Sequence, residues 1–542
     1  MTALVFRIGV GTCGLSAGAA EVRRALEETL AAEGAAKSGS TVKGVGCLGL
    51  CFAEPLVEVG GVLYGRVKPE DARLIAKAAL EGEAVAAKAL AKRDKCVLKG
   101  AEKVPPLSSQ PFWALQFRDA FENCGVVDPK SIDDCIAAGG YEGLRKALKL
   151  KPAEVVAQVK AVGLRGRGGA GFPTAIKWEL CAKAPAGEKF AICNADEGDP
   201  GAFMNRANLE GDPHKVLEGL IIAGYACGAG KGFVYVRAEK PLAAQSVKTA
   251  VEQAQAKGFL GKNILGSGFD FDVEVRLGAG AFVCGEETAL IASIEGKRGM
   301  PRARPPYPAE HGLWGKPTNI NNVETLAHVP NIFRRGAEWF AARGTAKSKG
   351  TKVFCMTGKI SNTGAFEVPI GITLRDMVFK IGGGIPDGRK FKAAQSGGPS
   401  GGCLPESCLD LQMDYESLSE AGAIMGSGGL VILDDSTCMV DVARYFLTFT
   451  QSESCGLCTP CREGTVRMLD VINRIADGKG KASDVEELQR MGRIIRDTSL
   501  CGLGQTAPNP VLSTIRYFRA EYGEHVKGKK CPAGVCRMGA KK

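Results

Sequence analysis

Hydrophobic positions recur along the chain with two spacings, one typical of strands and the other of helices. Short apolar runs at 4–10, 190–193 and 351–358 predict buried strands. Apolar residues three and four positions apart, as in 20–32 and 152–162, predict amphipathic helices. The C-terminal part carries only the helical spacing, over 440–451, 463–476, 482–498 and 509–522. The pattern therefore predicts a multidomain α/β protein that ends in a helical bundle.

The first 83 residues are predicted to form a small domain of their own. A hairpin at 56–59 and 62–64 and a helix at 69–79 follow the first strand and helix, and this βα…ββα order is that of a thioredoxin-like fold. Residues 84–110 are predicted to be a linker, helical over the Ala/Lys-rich segment 84–92 and extended around Pro105-Pro106. Two further helices are predicted at 113–124 and 134–149.

Glycines cluster with polar residues at three places between 111 and 340. The sequence GLRGRGGAGFPT at 163–174 precedes a helix, and such a loop lets backbone N–H groups approach phosphates closely. A strand runs into NADEGDPG at 194–201, and LGAGAFVCGEET at 277–288 joins a strand to a helix start. The glycine loop alone is weak evidence, since it lacks the spacing of an ordinary Rossmann unit. Together the three predict a Rossmann-like nucleotide-binding domain over 111–340. Its acids are expected to face ribose or a flavin ring, because carboxylates would repel phosphate.

Residues 341–430 are predicted to form a third domain. Strands at 351–358, 364–369 and 391–395 and a helix at 373–381 give a β-grasp-like ββαβ order. The glycine loop SGGPSGG at 396–402 offers a phosphate site as one interpretation. A spacer role is favoured, because nucleotide motifs are already present upstream. The domain is expected to position the cysteine-rich region that follows it.

Three closely spaced cysteines dominate the predicted helical domain over 431–525. Cys455, Cys458 and Cys461 have the spacing C-x₂-C-x₂-C, which fits three irons of a [4Fe–4S] cluster, and Cys501 supplies a fourth thiol. A zinc site is the alternative, but such a site more often closes with a second C-x₂-C pair. Here the fourth cysteine is solitary, so the cluster is favoured.

Two other cysteine sets are candidate metal ligands. The chain has 20 cysteines, and the absence of a secretory signal favours metal ligation and buried thiols over disulfides. Near the N-terminus the set is Cys13, Cys47 and Cys51. In the basic tail at 526–542, Cys531 and Cys536 follow His525, and a structural zinc site closed by Cys438 is predicted. The alternative for the tail is a disordered segment with free thiols.

Composition excludes several classes of function. No run of eighteen apolar residues predicts a membrane span, and a cytoplasmic location is expected. The formal charge of +11 is spread along helices without interleaved aromatic residues, which argues against nucleic-acid binding. The 4 histidines leave few candidates for His-based hydrolysis.

Five motifs together resemble one family over residues 150–525. The chain resembles the NADH-binding flavoprotein (51 kDa-type) subunit of complex I in five segments: GLRGRGGAGFPT, CNADEGDPG, CGEE, INNVET and ESCGLCTPCREG. The diaphorase subunits of soluble hydrogenases and of NAD-linked formate dehydrogenases belong to the same wider family. The resemblance implies an FMN-dependent NADH dehydrogenase subunit. Electrons would pass from NADH through FMN to the [4Fe–4S] cluster and on to partner subunits, including iron–sulfur proteins, of a hetero-oligomeric complex.

The same resemblance implies which residues bind the cofactors. No acid or base catalyst is needed, because hydride passes directly to the flavin. NAD(H) would lie between the rings of Phe172 and Tyr307, with Glu287 on the adenosine ribose, which favours NAD over NADP. FMN would be held by Gly166, Gly168, Lys177, Asn194, Asp196, Asp199, Gly285, Glu286, Asn321 and Asn322.

The sequence departs from the family pattern at three positions. Phe282 stands where the family usually has Tyr, and Asp199 where some members have Glu. The N-terminal cysteines resemble those of a thioredoxin-like [2Fe–2S] ferredoxin, but Gly18 replaces the second of four. Ser16 could substitute, a ligand could come from elsewhere, or the domain could be a docking module without iron.

Two alternative functions remain open at this point. The fused ferredoxin-like domain suggests FMN-based electron bifurcation in a larger complex, with hydrogenase, formate dehydrogenase, heterodisulfide-reductase-like or aromatic-ring-reducing partners. A non-catalytic scaffold with a degenerate flavin site is the third hypothesis, and the intact glycine and acidic motifs argue against it.

Overall fold

The computed structural model describes residues 3–35, 39–185 and 187–538, so both ends of the chain extend past the described residues. Three sheets and a C-terminal group of helices follow one another along the chain. The predicted multidomain α/β class is confirmed. Among the described residues, no helix is both long and apolar enough to cross a membrane.

The N-terminal sheet has the strand order β2-β1-β3-β4-β5, with β1 and β2 parallel and the other neighbours antiparallel. Val22, Leu26 and Leu30 of α2 are buried, as their spacing predicts. The elements are β1 (Val5–Gly9), α1 (Thr12–Ser16), α2 (Ala19–Ala32), β2 (Thr41–Val45), β3 (Val57–Val59), β4 (Val62–Tyr64), α3 (Pro69–Leu80) and β5 (Ala89–Lys92).

The helix predicted at 84–92 is wrong. Residues Ala89–Lys92 form a strand that pairs with β4, with Val62 opposite Lys92. Ala and Lys have high helix propensity, but tertiary context often overrides propensity, and here hydrogen bonding to the open edge of the sheet does so. The N-terminal sheet therefore continues past residue 83 into the predicted linker.

The second sheet is fully parallel, with the order β8-β7-β6-β9. The chain moves outward from β6 to β8 and then returns to the other side of β6 with β9, so the carboxyl ends of β6 and β9 form a topological switch point. The elements are α4 (Pro111–Ala114), α5 (Ile132–Ala137), α6 (Glu142–Ala147), α7 (Pro152–Ala161), α8 (Thr174–Lys183), β6 (Phe190–Ala195), α9 (Met204–Gly211), α10 (Pro213–Cys227), β7 (Lys231–Arg237), α11 (Pro241–Ala256), β8 (Asp272–Gly278), α12 (Glu287–Ile294), β9 (Thr318–Asn322), α13 (Val323–Arg335) and α14 (Ala337–Ala341).

Two predicted helices before this sheet are wrong or shorter than expected. The segment 113–124 is helical only to Ala114, because the N–H groups of Asp119, Ala120 and Phe121 donate to the buried carboxylate of Glu367 instead. The segment 134–149 splits into α5 and α6 at Tyr141, whose φ of 63° is left-handed. Tertiary contacts decide both cases.

The third sheet has the order β11-β10-β14-β12-β13, with β10 and β14 parallel. The helix predicted at 373–381 is present over Asp376–Ile381, in π-helical form. The elements are β10 (Thr351–Gly358), β11 (Gly364–Pro369), β12 (Phe391–Ser396), β13 (Gly402–Pro405), α15 (Tyr415–Glu420) and β14 (Gly429–Asp434).

The C-terminal helices confirm the helical periodicity of the sequence. Val440, Leu447, Met468, Ile472 and Ile515 share one buried cluster. The elements are α16 (Met439–Ser452), α17 (Thr459–Ala476), α18 (Asp484–Thr498), α19 (Gly502–Thr506) and α20 (Asn509–Val526).

The N-terminal sheet is packed tightly onto the rest of the chain. Leu48 and Leu56 share a hydrophobic cluster with Phe354 and Phe366 of the third sheet. A Cβ on Gly49 would collide with the carbonyl oxygen of Ala365, and the φ of Gly49 is +91°. The loop after β2, which carries Cys47 and Cys51, therefore lies directly against β11 of the third sheet.

Candidate active site and metal centres

The polar residues predicted to hold a flavin meet at the switch point of the second sheet. Asn194, near the end of β6, lies opposite Asn322 at the end of β9. The glycine loop closes on itself through the Gly166 N–H, which donates to Phe172 O at 2.8 Å. A Cβ built on Gly168 would approach Asn322 Cβ to 3.2 Å, so the loop lies directly over this strand end. Ligands of parallel α/β sheets bind at such a crevice.

Asp196 places two buried carboxylate oxygens at this crevice, and neither has a hydrogen-bond partner among the described residues. Arg237 Nη1 lies 3.5 Å from this carboxylate. Burial raises the pKa of Asp196 to about 7. Gly285 lies opposite, with a built Cβ 3.5 Å from Asp196 Oδ2. A buried acceptor without a donor costs free energy, and the N–H edge of an isoalloxazine ring would satisfy it. The pocket therefore fits FMN.

Other predicted flavin residues have partners within the protein. Asn194 Nδ2 donates to Gly285 O at 2.9 Å, which joins the two glycine–acid segments. Asn321 Oδ1 accepts from Trp178 Nε1 at 2.8 Å, and Asn322 caps α13 by accepting from Glu324 N at 2.9 Å. These contacts fix the strand ends at the crevice. Their roles toward FMN remain predictions.

Asp199 lies apart from Asp196. Its carboxylate is buried against the third sheet, where Ser427 Oγ donates to Oδ2 at 3.1 Å and a Cβ on Gly398 would collide with Oδ1. Burial raises its pKa to about 7. The predicted flavin contact of Asp199 is therefore not visible in its hydrogen bonds. Its carboxylate instead adjoins the glycine loop for which the sequence favoured a spacer role.

Glu287, predicted to contact the dinucleotide, lies in a group of charged residues beside β9. Glu287 pairs with Lys177, which also donates to Ile320 O at 2.5 Å, and Arg304 Nη1 lies 3.7 Å from Glu287. The side chain of Glu286 instead caps α12, accepting from the N–H groups of Thr288 and Ala289 at 2.8 and 3.0 Å.

Two of the predicted dinucleotide residues have largely exposed rings. Phe172 is 50% exposed and Tyr307 is 51% exposed. Large exposed aromatic rings suit stacking against an adenine or nicotinamide ring.

The four cysteines predicted to bind a [4Fe–4S] cluster line one cavity. Cys458 and Cys461 lie at the start of α17, and Cys501 precedes α19. Cys455, Cys458, Cys461 and Cys501 share this cavity with Val283 and Pro301. These two residues belong to the part of the chain that contains the second sheet, called the central domain below. Burial raises the pKa of Cys501 to about 11, so cluster binding would have to stabilise its thiolate.

The spacing of these thiols favours a cluster over a single metal ion. Among the described residues, two groups of side chains have all their candidate ligand atoms within 4.8 Å of one another, as a single metal ion requires. The four cysteines Cys455, Cys458, Cys461 and Cys501 do not form such a group. A tetrahedral zinc ion requires short contacts among its ligands, whereas a cube holds its four cysteines farther apart. The set therefore fits [4Fe–4S].

The structure brings Cys438, His525, Cys531 and Cys536 together, as the zinc prediction requires. All four are buried, and their ligand atoms lie within 4.8 Å of one another. Cys438 Sγ is 3.4 Å from His525 Nε2 and 3.6 Å from Cys536 Sγ. The hydrogen bond from Cys536 lowers the pKa of Cys438 to about 4, as a thiolate ligand requires. Up to residue 538 the tail is folded, so the disordered alternative is wrong for this part.

The three N-terminal cysteines converge at one end of the parallel strand pair β1/β2. Cys13 follows β1 and Cys47 follows β2, so they meet at one edge of the parallel pair, and Cys47 Sγ lies 4.0 Å from Cys51 Sγ. Gly18 adopts a left-handed φ of +101°, which favours glycine over cysteine. Ser16 lies exposed at the end of α1.

A residue of the central domain approaches these N-terminal thiols. The guanidinium of Arg206, on α9, lies 3.6 Å from Cys13 Sγ. The hydrogen bond from Cys51 and the charge of Arg206 together lower the pKa of Cys13 to about 6. Thr12 also donates to Glu210, at the other end of α9. The three thiols therefore lie at the interface between the N-terminal sheet and the helix that follows the NADEGDPG loop.

The sequence did not point to three charged residues near the proposed centres. Arg237 lies beside Asp196, and Arg206 lies beside Cys13. Glu453 joins the turn Phe282–Gly285 (the flavin turn) to the loop that begins at Cys455 (the cluster loop). Each comes from an element distant in sequence from its partner. No local motif marks such residues.

Comparisons with known proteins agree with this geometry. Residues 159–331 match the Nuo51 FMN-binding domain, 353–404 the SLBB domain, and 441–525 the NADH-ubiquinone oxidoreductase-F iron-sulfur binding region. The chain is 59% identical over 421 residues to the NADP-reducing hydrogenase protein HndC of Solidesulfovibrio fructosivorans, a match that covers 78% of this chain and 86% of that protein. It is 46% identical over 411 residues to an NADH-quinone oxidoreductase subunit of Rhizobium meliloti (strain 1021), over 76% of this chain and 98% of that protein.

A solved structure extends the likeness to the N-terminal region. An NAD⁺-reducing [NiFe]-hydrogenase in the H₂-reduced state superposes with a TM-score of 0.67 at 30% identity, over 97% of this chain and 85% of that chain. The family matches cover the flavin crevice and the Cys455–Cys501 centre in the order in which they occur here. The chain belongs to the family of NADH-binding flavoprotein (51 kDa-type) subunits of complex I and their hydrogenase relatives.

Proposed function

We propose that the chain is the NADH-oxidising, FMN-binding subunit of a multisubunit redox complex that transfers electrons through a [4Fe–4S] cluster to partner subunits. The observation that carries this function is that one short turn, Phe282–Gly285, adjoins both centres, because Gly285 faces Asp196 in the flavin crevice. Val283, which follows Phe282 in the turn beside the flavin crevice, lines the cavity of Cys455, Cys458 and Cys501.

The protein's own residues bind and orient the reactants. FMN, when bound, supplies the chemistry that accepts hydride and releases single electrons. Asp196 offers a buried acceptor at the crevice, and the loop around Gly168 leaves room for close backbone approach. Phe172 and Tyr307 offer exposed rings for the dinucleotide, and Lys177 and Arg304 place positive charge beside Glu287.

The partner and the coenzyme follow from different observations. The two relatives named above are subunits of a hydrogenase and of an NADH-quinone oxidoreductase. We therefore propose hetero-oligomeric redox partners that include iron–sulfur proteins. NADH is proposed over NADPH, because the carboxylate of Glu287 would repel a 2′-phosphate. HndC is named as NADP-reducing, so the assay should include both coenzymes.

A spectroscopic assay tests this function. In the purified complex, NADH should bleach the flavin absorbance and then reduce the [4Fe–4S] cluster seen by EPR. The C501S variant should keep flavin bleaching and lose the cluster signal, because one ligand is removed. C96S, which changes a cysteine outside all three sets, is the matched control. If NADH leaves the flavin oxidised in wild-type protein that contains FMN, the proposal is wrong and a scaffold role replaces it.

A structural zinc ion at Cys438, His525, Cys531 and Cys536 forms a second part of the proposal. The His-Cys₃ set joins the start of α16 to the end of α20 and the tail, so the ion would tie these elements together. Metal analysis should find one equivalent of zinc, and H525A should lose it while retaining FMN. If the single variants H525A and C531S both retained zinc, the assignment would be contradicted.

For the N-terminal sheet we propose a thioredoxin-like fold that carries a [2Fe–2S] cluster on Cys13, Cys47 and Cys51. The order β1-α-β2-β3-β4-α3 and the parallel β1/β2 pair support the fold. A fourth donor, either Ser16 or a ligand from elsewhere, must complete the cluster, and a docking domain without iron is the competing interpretation. A [2Fe–2S] EPR signal that disappears in C47S would support the cluster. Its absence from wild-type protein would leave docking as the role.

A further inference from the structure

The side chain of Glu453 connects the cluster loop to the flavin turn. Glu453 caps the C-terminus of α16, two residues before Cys455. Its Oε2 accepts a hydrogen bond from the backbone N–H of Phe282 at 2.8 Å, across 171 residues of sequence. Phe282 begins the short 3₁₀ turn Phe282–Gly285, and Gly285 faces Asp196 in the flavin crevice.

The contact is reinforced by packing in the same helical turn. The rings of Phe282 and Phe449 lie edge to face, with centroids 5.3 Å apart. Phe449 O accepts the N–H of Glu453 at 3.0 Å, so both contacts to Phe282 come from the last turn of α16. The next residue, Val283, lines the cavity of the four cluster cysteines. The turn held by Glu453 is therefore the segment that separates the two centres.

Glu453 forms no ion pair among the described residues. It is partly buried, and no Lys or Arg nitrogen in the described part of the chain lies within 4.0 Å of its carboxylate. The carboxylate of Glu453 bonds to Phe282, three residues before Gly285, which faces Asp196 in the flavin crevice. On its other side, Glu453 lies two residues before Cys455. Its charge is therefore close to both centres. Negative charge near a redox centre disfavours the addition of an electron, and net charge and hydrogen bonds set the potentials of iron–sulfur clusters.

We propose that Glu453 is a positioning residue for electron transfer: it fixes the turn Phe282–Gly285 against the cluster loop, and its charge lowers the reduction potentials of both the flavin and the cluster. The inference rests on the proposed function. It adds a residue that contacts neither centre through a ligand atom but acts on both through one hydrogen bond and one charge.

Three variants of the intact complex separate the two effects. E453Q keeps an oxygen acceptor for the Phe282 N–H and removes the charge, whereas E453A removes both. D497N is the matched control. It removes a carboxylate four residues before Cys501, and that carboxylate is exposed and paired with Arg496 at 2.8 Å.

Redox titrations of FMN absorbance and of the cluster EPR signal give the first readout. In E453Q both midpoint potentials should shift to more positive values, with the KM for NADH unchanged. In D497N neither potential should move, because solvent and Arg496 screen that charge. A merely structural role would leave the potentials of E453Q at their wild-type values.

Stopped-flow reduction by NADH gives the second readout. Cluster reduction after flavin reduction should be roughly tenfold slower in E453A, from the loss of a partly buried hydrogen bond, and E453Q should restore most of the rate. Equal rates in E453A and E453Q, or potentials in E453Q that match D497N, would overturn the inference. Loss of FMN from E453Q would also count against it, because the amide should still hold the turn.

The failure of this inference and that of the proposed function give different results. If wild-type protein shows no NADH-dependent flavin bleaching, the function fails before any variant is compared. If wild-type protein transfers electrons normally and E453Q behaves as D497N does, only the role of Glu453 fails.

Discussion

At the residue scale, two carboxylates from one motif have different surroundings. Asp196 and Asp199 both belong to NADEGDPG, and the sequence predicted both as flavin contacts. Asp196 lies against Gly285 at the crevice, while Asp199 is buried against Ser427 of the third sheet. The motif predicts a polar loop at the flavin site, and a contact of either acid with FMN stays a prediction. Which acid faces the crevice depends on where the loop around Gly398 docks, and local sequence does not contain that information.

The burial of Asp199 makes a prediction about pH. Its pKa rises from 3.8 to about 7 in the folded protein, so folding favours the protonated form. The contribution of Asp199 to the free energy of unfolding is fully present below pH 4 and is lost as the pH rises through about 7. D199N cannot ionise, so the variant should be more stable than wild type at pH 8, by on the order of 2–4 kcal/mol, with the difference vanishing near pH 4. Urea unfolding of the flavin-free protein at several pH values measures this difference.

The control for this prediction is D477N, at the exposed end of α17. It should unfold with the wild-type pH profile. If the profiles of D199N and D477N are parallel, the carboxylate of Asp199 does not ionise with the cost that its burial implies.

At the element scale, most predicted helices and strands were found close to their predicted bounds, and a few were not. The helices α16, α17, α18 and α20 and the strands β3, β4, β10 and β11 lie within a few residues of their predicted bounds. The segments 84–92 and 113–124 were predicted as helices and have other structures. In both, backbone groups bond to partners far along the chain, such as β4 and Glu367. A local window cannot register such partners.

Docking of the N-terminal sheet onto β11 gives a prediction about one glycine. A Cβ on Gly49 would collide with Ala365 O, whereas Gly82 has a similar left-handed φ, +84°, and nothing within 4 Å. Both G49A and G82A incur the cost of positive φ, roughly 1 kcal/mol. Only G49A should also separate the two surfaces, so residues 84–110 should be cut faster by protease in G49A than in G82A. Equal cleavage of the two variants would show that the contact at Gly49 does not hold the domain in place.

At the scale of the whole molecule, the N-terminal thiols, the flavin crevice and the cluster cavity all lie near interfaces between sheets or helices that are distant in sequence. The three N-terminal thiols lie against α9, the loop that carries Asp196 and Asp199 contacts Ser427 near β14, and the cluster cavity includes Val283. The sequence predicted each set of ligands from its own motif. It could not predict their adjacency, since the contacts join residues such as Cys13 and Arg206 that are 193 positions apart.

This arrangement predicts how the molecule opens. Because Leu48 and Leu56 share a core with Phe354 and Phe366, separating the N-terminal sheet would expose the apolar face of the third sheet. The amides of β1 and β10 should therefore exchange with solvent at the same urea concentration in native-state hydrogen exchange followed by mass spectrometry. The loop 257–270, whose side chains are mostly exposed, should exchange at much lower urea and serves as the internal reference. If β1 exchanges well before β10, the N-terminal sheet is an independent unit, and its thiols can leave the flavin domain without unfolding it. If the two exchange together, any electron path or docking surface at Cys13 persists for as long as the third sheet is folded.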